Sequence, residues 1–201
     1  MITYKILFPS NLYLFNVKLK VRALGIDDSP FSRENNKSYL IGSVVREKNY
    51  LEGLIIEKIT VDGIDSTDVI LKMISGKFSE QIKIIFMNGI TFAGFNVANI
   101  EKIYLETKIP IITVVRKMPS MEEIEQALKK HFTDWEERLN LMKKFEIKNI
   151  NGVYVQKMGI EWKEVGEILL RFTVRGKIPE PIRISHIIGS ALIFGYSKKK
   201  P

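Results

Sequence analysis

The stretch that most constrains the fold is Leu19–Phe31, LKVRALGIDDSPF. Val21, Ala23 and Gly25 alternate with Arg22, Leu24 and Ile26, the pattern of a buried strand. Ser29-Pro30 stops it, so two adjacent carboxylates, Asp27 and Asp28, fall where a strand end meets a loop. Two readings are open at that point. Asp-Asp-Ser-Pro is good turn chemistry, while a carboxylate facing a cleft can hold a divalent cation through oxygen.

The chain after this strand changes character midway. A polar loop, SRENNKS, precedes a strand YLIGSVVRE, a turn at Lys48-Asn49 and a third strand LEGLIIEKITV. Short connections between three strands predict an antiparallel meander. Asp65 or Ser66 caps the next helix, with Val69, Ile70, Met73 and Ile74 on one face. Then QIKIIFMNG reads as a strand covered on both sides. The glycines of GITFAGFN lead into a helix carrying Val97, Ile100, Ile103 and Tyr104, and IPIITVV is another buried strand. Gln81 to Val115 is thus a strand-helix-strand crossover with parallel strands. Ser120 with Glu123 and Thr133 with Glu136 fit capping boxes. Their helices bury Ile124, Leu128 and Phe132, then Trp135, Leu139, Met142 and Phe145, leaving Lys129, Lys130, Arg138, Lys143 and Lys144 as solvated faces. A short strand GVYVQ, a helix from Trp162 to Phe172 and a last helix starting near Pro181 complete the order.

Composition bounds the rest. With 201 residues, 45% of them hydrophobic and 27% charged, the chain reads as one α/β domain over residues 1–201. Residues 1–17 form an extension packed on it. No run reaches the roughly 20 apolar residues of a membrane span, and the N-terminus lacks a signal-peptide pattern. The absence of cysteine removes disulfides and thiolate chemistry and fits a cytoplasmic protein. A net charge of +8 points to an anionic partner, nucleic acid above all.

Further polar groups could join the acidic pair. Asp62 and Asp65 follow the third strand and either extend a hard oxygen site for Mg²⁺ or Mn²⁺ or serve as turn and cap. On the last helix Arg183, His186 and Ser190 share one side, opposite Ile184, Ile187, Ile188 and Ala191. They could contact phosphate or shuttle a proton, or Arg183 could simply pair with Glu180. Gly89 and Gly94 could bring backbone amides to a phosphate or serve a tight connection. No P-loop, Rossmann fingerprint, G-x-S-x-G or H-E-x-x-H is present.

GIDDSPF, VDGIDST, NGITFAGFNV, IPIITVVRKMP and IPEPIRISHIIGSAL occur in this order and cover about Lys18 to Ser197. Together they resemble the archaeal domain-of-unknown-function family 99, which is in turn similar to endonuclease V, a metal-dependent nuclease of ribonuclease H-like fold acting on deaminated nucleic acid. The resemblance implies a ribonuclease H-like, endonuclease V-like mixed sheet with flanking helices. It implies a metal ligand at Asp27, beside Asp28 as the catalytic pair. The nuclease's next Asp-Gly falls on Asn88-Gly89, where an amide oxygen replaces a charged ligand. Its third-strand glutamate falls near Asp68 and Val69, its late ligand on Ile160 beside Glu161, and its lysine on Arg116. The metal candidates are therefore Asp27, Asp62, Asp65 and Asn88, for a weakly held Mg²⁺ or Mn²⁺. Arg116, Arg183 and His186 are the candidates for contacting nucleic acid. The expectation is a nucleic-acid-associated protein, a phosphodiester hydrolase with a reduced site; the alternative is a non-catalytic binding module on the same fold.

Overall fold

The computed structural model describes residues 21–32, 34–47 and 50–197. The expected N-terminal extension and the Lys48-Asn49 turn lie outside these residues. In chain order the elements are β1 (Arg22–Asp28), β2 (Lys37–Arg46), β3 (Tyr50–Thr60), α1 (Ser66–Ile74), β4 (Ile82–Met87), β5 (Thr91–Phe92), β6 (Asn96–Val97), α2 (Ile100–Thr107), β7 (Ile111–Val115), α3 (Met121–His131), α4 (Trp135–Lys143), β8 (Lys148–Ile150), β9 (Val153–Met158), α5 (Trp162–Arg171) and α6 (Glu180–Phe194).

The main sheet has the order β3-β2-β1-β4-β7-β9-β8. The first three strands form the expected antiparallel meander, and β1, β4 and β7 run parallel. Antiparallel β9 and β8 finish the sheet. This is the ribonuclease H-like arrangement, with β1 in its interior. Alternation along β1 divides the core as the sequence predicts. Leu24 and Ile26 pack with Ile85, Met87 and Ile111 under α1 to α4. Val21 and Ala23 pack with Ile84, Phe86, Ile112 and Val114 under α5 and the start of α6. Burying each such Leu, Ile or Phe contributes roughly 1.5–3 kcal/mol.

Four local expectations are corrected. A hairpin, β5–β6, intervenes between β4 and α2, so Val97 lies in a strand rather than on the helix. Asp65 stands at the N-cap of α1, but its carboxylate does not cap the helix; Thr60 and Asn96 claim it first. Ser120 caps α3 by accepting from the Glu123 amide, whereas α4 starts one residue later than predicted, at Asp134. Arg138 is buried, not part of a solvated face.

The last helix is inverted relative to its expected packing. Its buried positions are Pro181, Ile182, Ser185, Gly189 and Ser190, while Leu192, Ile193 and Phe194 are exposed. The reason is proximity. A Cβ on Gly25 of β1 would lie 2.1 Å from the Pro181 carbonyl carbon, and one on Gly189 would lie 3.1 Å from Ser29 Cα. Helix and strand meet almost backbone to backbone, so isoleucines do not fit between them. Ser185 Oγ donates to Gly25 O at 2.8 Å and Ser43 Oγ donates to Pro181 O at 2.6 Å, which satisfies the polar groups this contact buries.

Candidate functional site

The C-terminal ends of β1 and β4 meet beneath α6. Asn88 N donates to Ile26 O at 3.0 Å, continuing the parallel ladder one residue past β4. Its side chain is thereby brought beside β1, where Asn88 Nδ2 donates to Asp27 Oδ1 at 2.9 Å. The same oxygen accepts from the Asp28 amide at 3.0 Å. From above, His186 Nδ1 lies 2.9 Å from Asp27 Oδ2. Asp27 is 1% exposed, and hydrogen-bonding groups from three separated segments converge on it. The close approach of α6 at Gly25 and Gly189 sets the height of His186 over this carboxylate.

Asp28 turns towards the hairpin, and its Oδ2 accepts from the Ala93 amide at 2.7 Å. Burial, reinforced by the charge of Asp27, pushes its carboxyl up to about 7 from an ordinary 3.8.

Asp62 and Asp65 have other employment. Asp62 Oδ1 accepts from the Phe95 amide at 2.8 Å. Asp65 accepts from Thr60 Oγ1 and Asn96 Nδ2, each at 2.6 Å; although burial opposes it, these bonds hold its carboxyl below the usual value. Both acids thus brace the junction of β3, α1 and the hairpin. The hairpin amides are equally committed, Ala93 to Asp28 and Phe95 to Asp62, so the connection reading of GITFAGFN holds over the phosphate-cradle reading. Its tip needs unusual backbone, with φ of 45° at Ala93 and 95° at Gly94.

Arg138 is the buried residue that sequence reasoning missed. It is 7% exposed, and its Nη1 donates to the carbonyls of Asp62, Gly63 and Phe95 at 2.7 to 3.0 Å, while Nε pairs with Asp134 at 2.9 Å. The signal was present: residue 138 falls three after Trp135 and four before Met142, on the helix's inner face.

The other candidates separate. Arg183 Nε donates to Glu180 Oε2 at 2.8 Å, the expected ion pair, whereas His186 one turn later reaches Asp27. Arg116 is exposed just past β7. Ile160 is buried among apolar side chains, Glu161 and Glu164 form the capping box of α5, and Asp68 pairs with Lys102 at 2.9 Å, so these positions join no common site. Among the described residues no group of three or more His, Asp or Glu side chains is arranged to hold a metal ion.

A cavity of about 110 Å³ opens one residue away from Asn88. Gly89, Ile90 and Thr91 form one wall, α3 contributes Met121 and Ile124, and Thr113 and Gln156 form the floor on β7 and β9. It lies on the face of the sheet opposite His186, so the Asn88–Gly89 step joins the carboxylate cluster to the cavity.

An interior β1 ending in a carboxylate, flanked by parallel β4 and antiparallel β2, defines the endonuclease V-like class of the ribonuclease H-like fold. In line with this, the structure is similar to endonuclease V of Ciona intestinalis solved with a DNA containing an inosine followed by a ribo-adenosine, with a TM-score of 0.55, 13% identity and coverage of 84% of this chain and 83% of that one. The sequence profile of the endonuclease dU family matches residues 19–193, and the chain belongs to that family. A UPF0215 protein of Methanosarcina mazei is 40% identical over 194 residues, covering 92% of this chain and 97% of that protein. The structure is also similar to that of a protein of unknown function from Archaeoglobus fulgidus, with a TM-score of 0.81, 40% identity and coverage of 88% of this chain and 100% of that one. Among the described residues no helix is long and apolar enough to cross a membrane.

Proposed function

We propose that the protein is an endonuclease that cuts DNA at deoxyuridine, with a reduced, divalent-metal-dependent site at Asp27. The observation that carries this reading is the convergence of Asn88, the Asp28 amide and His186 on the buried Asp27 carboxylate. Membership of the endonuclease dU family supports the substrate class. The cavity beside Asn88, mostly apolar with polar groups on its floor, supports a flipped-base mode of recognition.

The donor set fits a hard cation in part. Asp27 and Asp28 are carboxylates side by side at one strand end, and a positive charge between them would offset the part of the rise at Asp28 that the charge of Asp27 adds to burial. Asp27 and Asp28 would hold Mg²⁺ or Mn²⁺, with the Asn88 side-chain oxygen as a neutral third donor. A cation held there would supply Lewis-acid polarisation of the phosphate and a more nucleophilic water. The protein's own groups supply the rest. His186 fixes the Asp27 carboxylate from above and stands where a proton can be taken or given. Arg116 is an exposed cation next to Val115, which lines the cavity, and its guanidinium suits a phosphate.

The small number of acidic ligands favours a second reading, a protein that binds deoxyuridine-containing DNA without cutting it. One assay separates the two: a single-stranded oligonucleotide with one deoxyuridine, incubated with Mg²⁺ or Mn²⁺ and the wild-type protein or Asp27→Asn. Strand cleavage near the deoxyuridine, lost in Asp27→Asn, is the expected result. Selective binding with no cleavage under either cation would establish the binding module instead. Equal, salt-sensitive binding to all DNA would sink both readings.

A further inference from the structure

We infer that Gln156 is the residue that reads the base, accepting a hydrogen bond from the uracil ring N3–H in the cavity beside Asn88. This rests on the deoxyuridine reading above and adds the group that distinguishes uracil from cytosine.

Gln156 is 6% exposed and lies on the cavity floor. Its Nε2 donates to Met142 O and Phe145 O, both at 3.1 Å. Two carbonyl acceptors allow only one orientation of the amide, because the side-chain oxygen cannot serve either of them. Both N–H groups are thereby used, and Oε1 is left pointing away from Met142 and Phe145. Among the described residues no donor is directed at Oε1. The only sealed polar side-chain atom without a partner there is Ser66 Oγ, so Oε1 has open space to face, and the space that Gln156 lines is the cavity.

A buried acceptor whose orientation is locked by two bonds on its other end selects for a donor. Deamination supplies one. Cytosine carries a bare ring nitrogen at position 3, an acceptor that repels Oε1, whereas uracil carries N–H at the same place. The remaining lining is mostly apolar, with Ile90, Ile124, Met142 and Ile147 enclosing the ring. Thymine shares the uracil hydrogen-bonding edge, so Gln156 cannot reject it; that task is left to the limited volume of the cavity, about 110 Å³, acting against the extra methyl. The two discriminations therefore belong to different parts of one pocket.

The test uses the full chain and single-stranded oligonucleotides of one sequence with uracil, cytosine, thymine or 2-pyrimidinone at one position. Dissociation constants are measured by fluorescence anisotropy with EDTA present. Wild-type protein is expected to favour uracil over cytosine and over 2-pyrimidinone, which lacks the N3–H, by about tenfold, the worth of one such hydrogen bond. Gln156→Met should erase this preference and keep the preference of uracil over thymine, a split that mere damage to the pocket would not produce. Uracil selectivity that survives intact in Gln156→Met, or equal wild-type affinity for uracil and 2-pyrimidinone, overturns the role of Gln156 while leaving the deoxyuridine reading standing. No wild-type preference for uracil over any of the other bases overturns both. If Gln156→Met does not fold, the 2-pyrimidinone comparison on the wild-type protein decides alone.

Discussion

The two faces of the sheet approach the ends of β1 and β4 in opposite ways. On the α6 face, glycine and serine bring helix and strand into near-backbone contact, and His186 is held over Asp27 with little space left. On the other face, large side chains of α3 and α4 stand off the sheet around a cavity, and polar groups tie down the hairpin that walls it. Close contact suits a group that must keep a fixed distance to a carboxylate. Stand-off suits the admission of a ligand. A single step of chain, Asn88 to Gly89, belongs to both.

The largest expected effects are on stability, the first of them on the stand-off face. Arg138→Met leaves three half-buried carbonyls and the Asp134 carboxylate without this donor, and should destabilise the protein by about 3 kcal/mol. Urea denaturation measures it; a loss under 1 kcal/mol would mean that the hairpin is braced by other bonds. On the close-contact face, Gly25→Ala drives a methyl into the Pro181 backbone and should cost about 3 kcal/mol. It should also shift the His186 ring signals in NMR, because the helix must lift. Unchanged stability would remove the account of why α6 packs through its small residues.

Asp28 sits where the faces join, and it ties stability to pH. The folded protein holds its proton up to about pH 7, whereas an unfolded Asp releases it near 3.8. Between those values the folded state binds more protons, so stability falls as pH rises through that window. Asp28→Asn should therefore stabilise the cation-free protein at pH 8 and have little effect below pH 4. A thermal melt series across pH reads this directly; an equal effect at both extremes would refute it. The smallest expected effect is on cation affinity. Asn88→Asp adds an anionic oxygen and should tighten Mn²⁺ about tenfold by calorimetry, while Asp27→Asn abolishes binding. If neither substitution changes the titration, residues 27 and 88 share no cation.

The comparison also explains what could be read in advance. The antiparallel meander and the parallel crossover follow from period-two alternation and short connections, which are local signals, whereas the weight on Asp27 at the end of the first strand comes from the resemblance to endonuclease V. His186 was visible as a candidate, but its partner was not, since 159 residues separate it from Asp27. Asp62 and Asp65 look like ligands in sequence and act as braces, because carboxylates serve amides and cations equally well. The cavity was illegible for a different reason. Its walls come from several helices, strands and loops, and no spacing rule links Gln156 to Met142 or Gly89. Arg138 shows the remaining failure: a charged residue in an amphipathic helix is assigned to water by default, even when its register places it inside.

The contact between Gly25 and Pro181 has a bearing on how such a site withstands change. The gap between His186 and Asp27 is fixed by the thickness of two backbones, a dimension that does not vary with side-chain choice. Substitutions along the outer surface of α6, at Leu192 or Ile193, alter what the helix presents outward without entering that dimension. The helix can thus acquire a new exterior over generations while the reference length at its inner surface stays calibrated.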